Sequence, residues 1–244
     1  MVKTCLLGFE GLLGREWMQC LSQLEHQVFT VGPNQLSPEV LEQNVEHLVF
    51  DLSDDDVKRL DSIFSLKKPN NLIINAGIDA KPGTGKSSLT DYTIESWIEI
   101  MNVNLYGLVK ALNSAIRNSG EIRNIVVVGS MYSEKSPNPK MYSHYGENGL
   151  TKHPAYSASK FAALSIVKQY AVHFAEVGIL INMLSPGAVY SGQDAQFVKK
   201  ISERIPLGRM ASPVEMQSIL KFLIQDNSYA TGQNFVLDGG MNAW

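Results

Sequence analysis

Tyr156 and Lys160 stand four residues apart at the start of an amphipathic segment, directly after Pro154. Proline suits the first turn of a helix, and the i, i+4 spacing puts phenol and ammonium on one face. A nearby cation stabilises phenolate and draws the tyrosine pKa of ~10 towards the working pH. A tyrosine tuned in this way can exchange a proton with a substrate oxygen. Such pairs also arise by chance, so this one needs company. It has company in Ile125-Val126-Val127-Val128, which reads as a strand and runs into Gly129-Ser130. A serine there brings a hydroxyl to the carboxyl edge of a sheet, where it can polarise a carbonyl.

Positioning these groups falls to short apolar runs that alternate with helix-length amphipathic segments, the pattern of repeated βαβ units. Strands are expected at 3–7, 27–31, 47–50, 71–75, 124–129, 178–184 and 235–237. Helices are expected at 12–23, 54–64, 93–118, 155–176, 195–204 and 213–225. Asp54, Asp55 and Asp56 read as a helix first turn, where carboxylates suit the macrodipole. In the fourth helix Ala163, Ile166, Val167, Tyr170 and Phe174 share one face, which suits either a core or an interface. The fold class is α/β: a single doubly wound Rossmann-type domain over residues 1–244, a parallel sheet of about seven strands flanked by helices. Two connections are long, 76–92 and 131–154. Both follow strands, so both belong at the sheet's carboxyl edge, where ligands bind and substrate loops are expected.

The first strand enters Gly8-Phe9-Glu10-Gly11-Leu12-Leu13-Gly14 ahead of a helix. Glycines at such a junction let the backbone approach a pyrophosphate on the helix N-terminus. With a dinucleotide there, the tyrosine proton can move while hydride passes to or from nicotinamide. Phe9 and Glu10 occupy positions where small residues are expected, and a carboxylate repels pyrophosphate unless it turns away or reaches the ribose. The second strand ends Phe29-Thr30-Val31-Gly32-Pro33-Asn34, with neither an acid for a ribose diol nor an arginine for a 2′-phosphate. NAD or NADP fits; Glu10 tips the balance to NAD.

Charged residues make up 18% of the 244 and the net charge is −3, which favours neither nucleic acid nor an anionic membrane as partner. No apolar run reaches the ~20 residues of a membrane-spanning helix, and the opening Met1–Gly8 is too short for a secretory leader. Cys5 and Cys20 read as two buried thiols, and the five histidines show no metal-ligand spacing. A soluble cytoplasmic enzyme without a metal is expected. Ala80-Lys81-Pro82-Gly83-Thr84-Gly85-Lys86-Ser87 fits a permissive phosphate-loop pattern, but Ser88–Tyr92 reads as further loop where a helix should begin. His144 and His153 fall in the second long loop, as site-lining groups or bystanders.

In order along the chain come Gly8…Gly11…Gly14, Asp51, Asn75-Ala76-Gly77, Asn104, Ser130, Tyr156…Lys160, Pro186-Gly187 and Asp238-Gly239-Gly240. With these the sequence resembles the short-chain dehydrogenase/reductase family over essentially its full length. The resemblance implies Tyr156 as general acid/base and Lys160 as the group that lowers its pKa and holds the nicotinamide ribose. Ser130 would orient the substrate oxygen, and Asn104 would support a water relay to Lys160. Cofactor contacts would come from Gly8, Gly11, Leu12, Leu13, Gly14, Asp51, Leu52, Asn75, Ala76, Gly77, Tyr156, Lys160, Pro186, Gly187 and Val189. Asn102 reads as a surface or structural residue. The chain departs from the family pattern at Leu7 (usually threonine), Phe9, the glycine spacing and Ile74, all on the cofactor side.

Ser130 and Tyr156 are 26 positions apart (156 − 130), a wide gap filled by a polar, tyrosine-rich stretch. Aromatic and hydroxyl groups beside a catalytic site suit a polyhydroxylated small molecule. The insert, Pro206–Met210 and the ending Asp238–Trp244 resemble a sub-branch similar to flagellin modification protein A, associated with amino-sugar and nonulosonic-acid biosynthesis. The family resemblance also implies a homodimer or homotetramer. A competing reading keeps the fold without catalysis, as a degenerate binding or scaffold subunit; Phe9, Glu10 and the missing ribose acid motivate it.

Overall fold

The computed structural model describes residues 1–36, 45–79, 91–142 and 152–243. The strands are β1 (Lys3–Leu7), β2 (Gln27–Gly32), β3 (Glu46–Val49), β4 (Asn71–Ile74), β5 (Asn124–Val128), β6 (Leu180–Pro186) and β7 (Asn234–Leu237). The helices are α1 (Leu12–Gln23), α2 (Val57–Lys67), α3 (Ile94–Met101), α4 (Gly107–Asn118), α5 (Pro154–Phe174), α6 (Ala195–Ser202) and α7 (Gln217–Lys221). The strands form one parallel sheet in the order β3-β2-β1-β4-β5-β6-β7. The order reverses between β1 and β4, which opens a crevice at their carboxyl ends. This is the expected Rossmann-type domain with its parallel sheet.

Strand periodicity explains the layering. Cys5 and Leu7 of β1, Leu72 and Ile74 of β4, and Ile125 and Val127 of β5 pack into the core under α2, α4 and α5. The intervening Leu6, Ile73 and Val126 enter the opposite core, with Trp17, Met18 and Leu21 of α1. Ala163 and Val167 of α5 are buried in the first core, with Ile166, Tyr170 and Phe174 packed against it, so this face serves the core. A third, smaller cluster joins Met131, Tyr132, Met141 and Tyr142 to Ile201 of α6 and to Tyr156.

Several boundaries differ from expectation for local reasons. Helix α2 begins at Val57, not Asp54, because the Asp56 carboxylate accepts from Arg59 N at 3.1 Å and caps it. The expected helix 93–118 is interrupted by a π-helical turn, Asn102–Tyr106, between α3 and α4. The segment 213–225 divides into a 3₁₀ turn, α7 and a second π turn at Phe222–Asp226. Strand β6 starts at Leu180 rather than Gly178, since Gly178 adopts φ +79° and ends the preceding helical turn. Cys5 and Cys20 are free, buried thiols. No helix among the described residues is long and apolar enough to cross a membrane, and none of their acidic, His or Cys groups cluster as a metal site would require. The phosphate-loop-like stretch Ala80–Ser87, His144, Trp244 and the central parts of both long connections lie outside the described residues.

Candidate active site

The turn after β1 is shaped by contacts only glycine permits. Gly8 adopts φ +82°, and a Cβ there would lie 2.5 Å from Ala76 Cα. At Gly14 a Cβ would stand 2.4 Å from the carbonyl oxygens of Gly8 and Phe9, so α1 packs directly on the turn. Asn75 ties the turn to β4: its Nδ2 donates to Gly8 O at 2.7 Å, and its Oδ1 accepts from Trp17 Nε1 at 3.0 Å. Helix α1 starts at an uncapped Gly11 with no acid in its first turn, which leaves its leading amides open to an anion. Phe9, which stands where a small residue is expected, is 4% exposed and packed in the core with Trp17, so it does not intrude on the cleft. Glu10 turns towards the end of β2, where Asn34 Nδ2 donates to its Oε1 at 3.0 Å.

Two cavities meet along the sheet edge. The outer, about 410 Å³, is bordered by Gly8, Glu10, Gly32, Asp51, Leu52 and Ala76. The inner, about 460 Å³, is bordered by Ser130, Tyr156, Lys160, Pro186, Gly187 and Val189, with Leu12 and Leu13 at its rim. Gly11, Asn75 and Gly77 line both, so the cleft is continuous. Of the expected cofactor residues, only Gly14 lines neither cavity; its part is to let the helix close on the turn. Asn102, expected to be a surface or structural residue, is exposed and borders the outer cavity.

In the inner cavity Ser130 is extended, and its Oγ accepts from Tyr132 N at 3.1 Å. Lys160 Nζ donates to Val128 O at 3.0 Å and lies 5.8 Å from the centre of the Tyr156 ring. Burial pulls the Lys160 pKa down to about 8, with Asp79 acting the other way. The Tyr156 phenol is pushed up, first by burial and then by the Asp79 charge, while a hydrogen bond with Ser130 opposes this. The lowering by Lys160 expected from the sequence is not found: the one group that pulls the phenol down is Ser130. Asn104 lines neither cavity; the π turn points it inward beneath them. Its Oδ1 accepts from Ile78 N at 2.7 Å, while its Nδ2 donates to Ile78 O at 2.9 Å and to Ser159 Oγ at 3.1 Å. A Cβ on Gly77 would lie 3.3 Å from Asn104 Oδ1 and 3.6 Å from Lys160 Nζ, so the two side chains meet at that glycine.

A family model described as enoyl-(acyl carrier protein) reductase matches residues 51–242. Glucose 1-dehydrogenase of Gluconobacter oxydans is 31% identical over 202 residues, 78% of this chain and 70% of the relative. The chain belongs to the short-chain dehydrogenase/reductase family. The chain spans 59 to 70% of the length of the first curated relatives it matches. A short-chain dehydrogenase from Leptospira borgpetersenii, solved with bound NAD⁺, superposes with a TM-score of 0.85 at 25% identity, covering 98% of this chain and 92% of that one. A gluconate 5-dehydrogenase described as putative, from Beutenbergia cavernae with bound NADP, gives 0.86 at 25% identity, covering 100% and 97%.

Two charged groups that the sequence did not single out, and two tyrosines of the tyrosine-rich insert, complete the site of this short-chain dehydrogenase/reductase. Asp79 and Lys152, both bordering the inner cavity, form an ion pair through Asp79 Oδ2. Asp79 Oδ1 is buried and has no hydrogen-bond partner among the described residues. Tyr132 and Tyr142, buried on the same wall, share a hydrogen bond of 3.0 Å between hydroxyls. The one available signal for Asp79 was its place just after Asn75-Ala76-Gly77; nothing local pairs it with a lysine 73 positions away. His153 is a buried helix cap in this dehydrogenase/reductase, neither a site-lining group nor a bystander. Its Nδ1 accepts from Ala155 N at 3.1 Å, and its Nε2 lies 2.9 Å from Ser96 Oγ, which fastens the start of α5 to α3.

Proposed function

We propose that this chain interconverts an alcohol and a carbonyl on a sugar or amino-sugar derivative, using NAD in preference to NADP. The supporting observation is the convergence of Ser130, Tyr156 and Lys160 on one cavity continuous with a second that borders the glycine-rich turn. Open α1 amides and the close approach at Gly8 fit a pyrophosphate, so the residues present suit the cofactor. The bound dinucleotide would supply or accept the hydride.

Ser130 Oγ holds the substrate oxygen beside Tyr156, and the protonated phenol donates to that oxygen in carbonyl reduction. Lys160, anchored on Val128 O, keeps an ammonium near the phenol and would hold the nicotinamide ribose of a bound cofactor. Asn104 acts from below by fixing Ile78, and through the space at Gly77 it adjoins the lysine. Apart from Gly14, the remaining cofactor residues form the floor and walls of the cleft. For the substrate, the Asp79–Lys152 pair, the tyrosine wall and Gln193 offer donors and acceptors suited to several hydroxyls. Asp79 from the connection 76–92, and Tyr132, Tyr142 and Lys152 from 131–154, border the inner cavity, which supports reading these as the substrate loops of a single domain. The names of the glucose and gluconate enzymes, and the resemblance of the insert to the flagellin modification branch, support a sugar or amino sugar. Free buried thiols fit the cytoplasm, and exposed Phe161 and Ile98 beside α5 and α3 fit a homodimer or homotetramer.

Turnover of a panel of aldoses, polyols, amino sugars and aliphatic alcohols, followed by nicotinamide absorbance, tests the reading. Activity confined to the polyhydroxylated members is expected. Activity only on aliphatic alcohols would overturn the substrate class, and cofactor binding without any turnover would favour a non-catalytic subunit.

A further inference from the structure

Strand β2 runs to Gly32 and is followed by Pro33 and Asn34, so it brings no acid of its own to the outer cavity. The neighbouring turn delivers one. A Cβ built on Gly32 would sit 3.6 Å from the carboxyl carbon of Glu10, so Glu10 reaches across to the end of β2. Asn34 Nδ2 holds its Oε1, and Asn34 is itself fixed because His47 Nε2 donates to its carbonyl oxygen at 2.8 Å. A carbonyl only accepts, so that nitrogen carries a proton. The other ring nitrogen of His47 is 2.7 Å from the hydroxyl of Thr30, which is fully buried in β2. A relay of Thr30, His47 and Asn34 thus sets the direction of a carboxylate that begins in a different loop.

The charged groups bordering this end of the cleft are Glu10, Asp51 and Glu99, with no lysine or arginine among the described residues there. Asp51 Oδ1 is occupied by the amide and hydroxyl of Ser53, each at 2.8 Å. Glu10 Oε2 has no hydrogen-bond partner among the described residues. A carboxylate oxygen so placed accepts strongly from a hydroxyl. A phosphate monoester brings roughly −1.5 to −2 charge and no donor, and at this range the two anions repel.

We propose that Glu10 discriminates between the two cofactors, accepting from a hydroxyl of the adenosine ribose and repelling a 2′-phosphate. The assignment rests on the dinucleotide reading above. It places the ribose acid in the glycine-rich turn, held by the segment that follows β2.

NADH and NADPH titrations of the full chain at fixed ionic strength, read by nicotinamide fluorescence, test it. NADH is expected to bind at least about tenfold more tightly than NADPH. Glu10→Gln keeps the shape and removes the charge, so it should bring the ratio near unity, chiefly by tightening NADPH. Asn34→Ala, which releases the carboxylate, should fall between the two. Melting curves matched to the parent confirm folding, and Glu10→Ser serves as a second charge-removing variant. An unchanged ratio in folded Glu10→Gln, or a parent that prefers NADPH, overturns the assignment while leaving the dinucleotide reading intact. A folded parent that binds neither overturns both.

Discussion

Asn104 clasps Ile78 at both ends of its backbone, accepting from its N–H at 2.7 Å and donating to its carbonyl at 2.9 Å. Asn104 reaches that position because the π turn at Asn102–Tyr106 inserts an extra residue between α3 and α4. Such turns recur at functional sites, since they re-aim one side chain at some cost in helix geometry. Here the residue re-aimed joins the carboxyl edge of β4 to Ser159 on the catalytic helix.

Asn104→Ala should therefore loosen the cleft floor as well as the fold. Leaving the Ile78 groups short of partners is expected to cost about 2 kcal/mol in denaturant unfolding. Misplacement of Gly77 and Lys160 should lower kcat about tenfold or more. Parent-like kcat in a folded variant would remove Asn104 from the positioning machinery.

Tyr156→Phe should lower turnover by ~10²–10⁴-fold with NADH binding retained, because only the proton-transfer group is lost. The phenol of the parent is held above its usual range by burial and by Asp79. Reduction then draws on the dominant protonated form, whereas alcohol oxidation needs the scarce phenolate and should climb with pH. Asp79→Asn removes one of the raising charges and should move the oxidation limb to lower pH. A limb that stays in place would show that Asp79 does not act on the phenol.

Lys160 illustrates a conflict between stability and chemistry. Its pKa is about 8 in the folded chain against 10.5 for the free group, so between these values the unfolded chain binds more protons. Stability from this group accordingly rises with pH across that window, and below about 8 the buried ammonium costs on the order of 3 kcal/mol. Lys160→Met should abolish turnover yet melt higher than the parent at neutral pH, with the gap closing as pH approaches 10.5. A lower melting temperature at neutral pH would mean that the bond to Val128 O outweighs the burial cost.

His153→Ala should cost about 1 kcal/mol through loss of the α5 cap. Burial lowers the His153 pKa below 6.5, so on acidification the unfolded chain takes up the proton first. The stability it contributes is present above 6.5 and is lost as pH falls below it. His153→Asn caps without titrating and should flatten that acid limb in pH-dependent melting. An unaltered limb would assign the acid sensitivity elsewhere, His26 being the other histidine among the described residues that burial lowers.

What the sequence determined by itself was whatever neighbouring residues encode. Alternation in β1, β4 and β5 decides which side chains enter which core, and so the layered sheet follows from period alone. Ser130 at a strand end and Tyr156 four residues before Lys160 were legible because a single element carries each spacing. The tertiary structure alone decided the rest. It turned Phe9 into the core, where packing beside Trp17 buries an aromatic ring. It broke a helix whose periodicity looked continuous, since the π turn answers to Ile78 and Ser159 rather than to its own neighbours. It also joined Asp79 to Lys152 and Glu10 to Asn34, partners 73 and 24 positions apart. Partners so distant in sequence leave no local pattern; only the packing of the strands and helices between them brings them together.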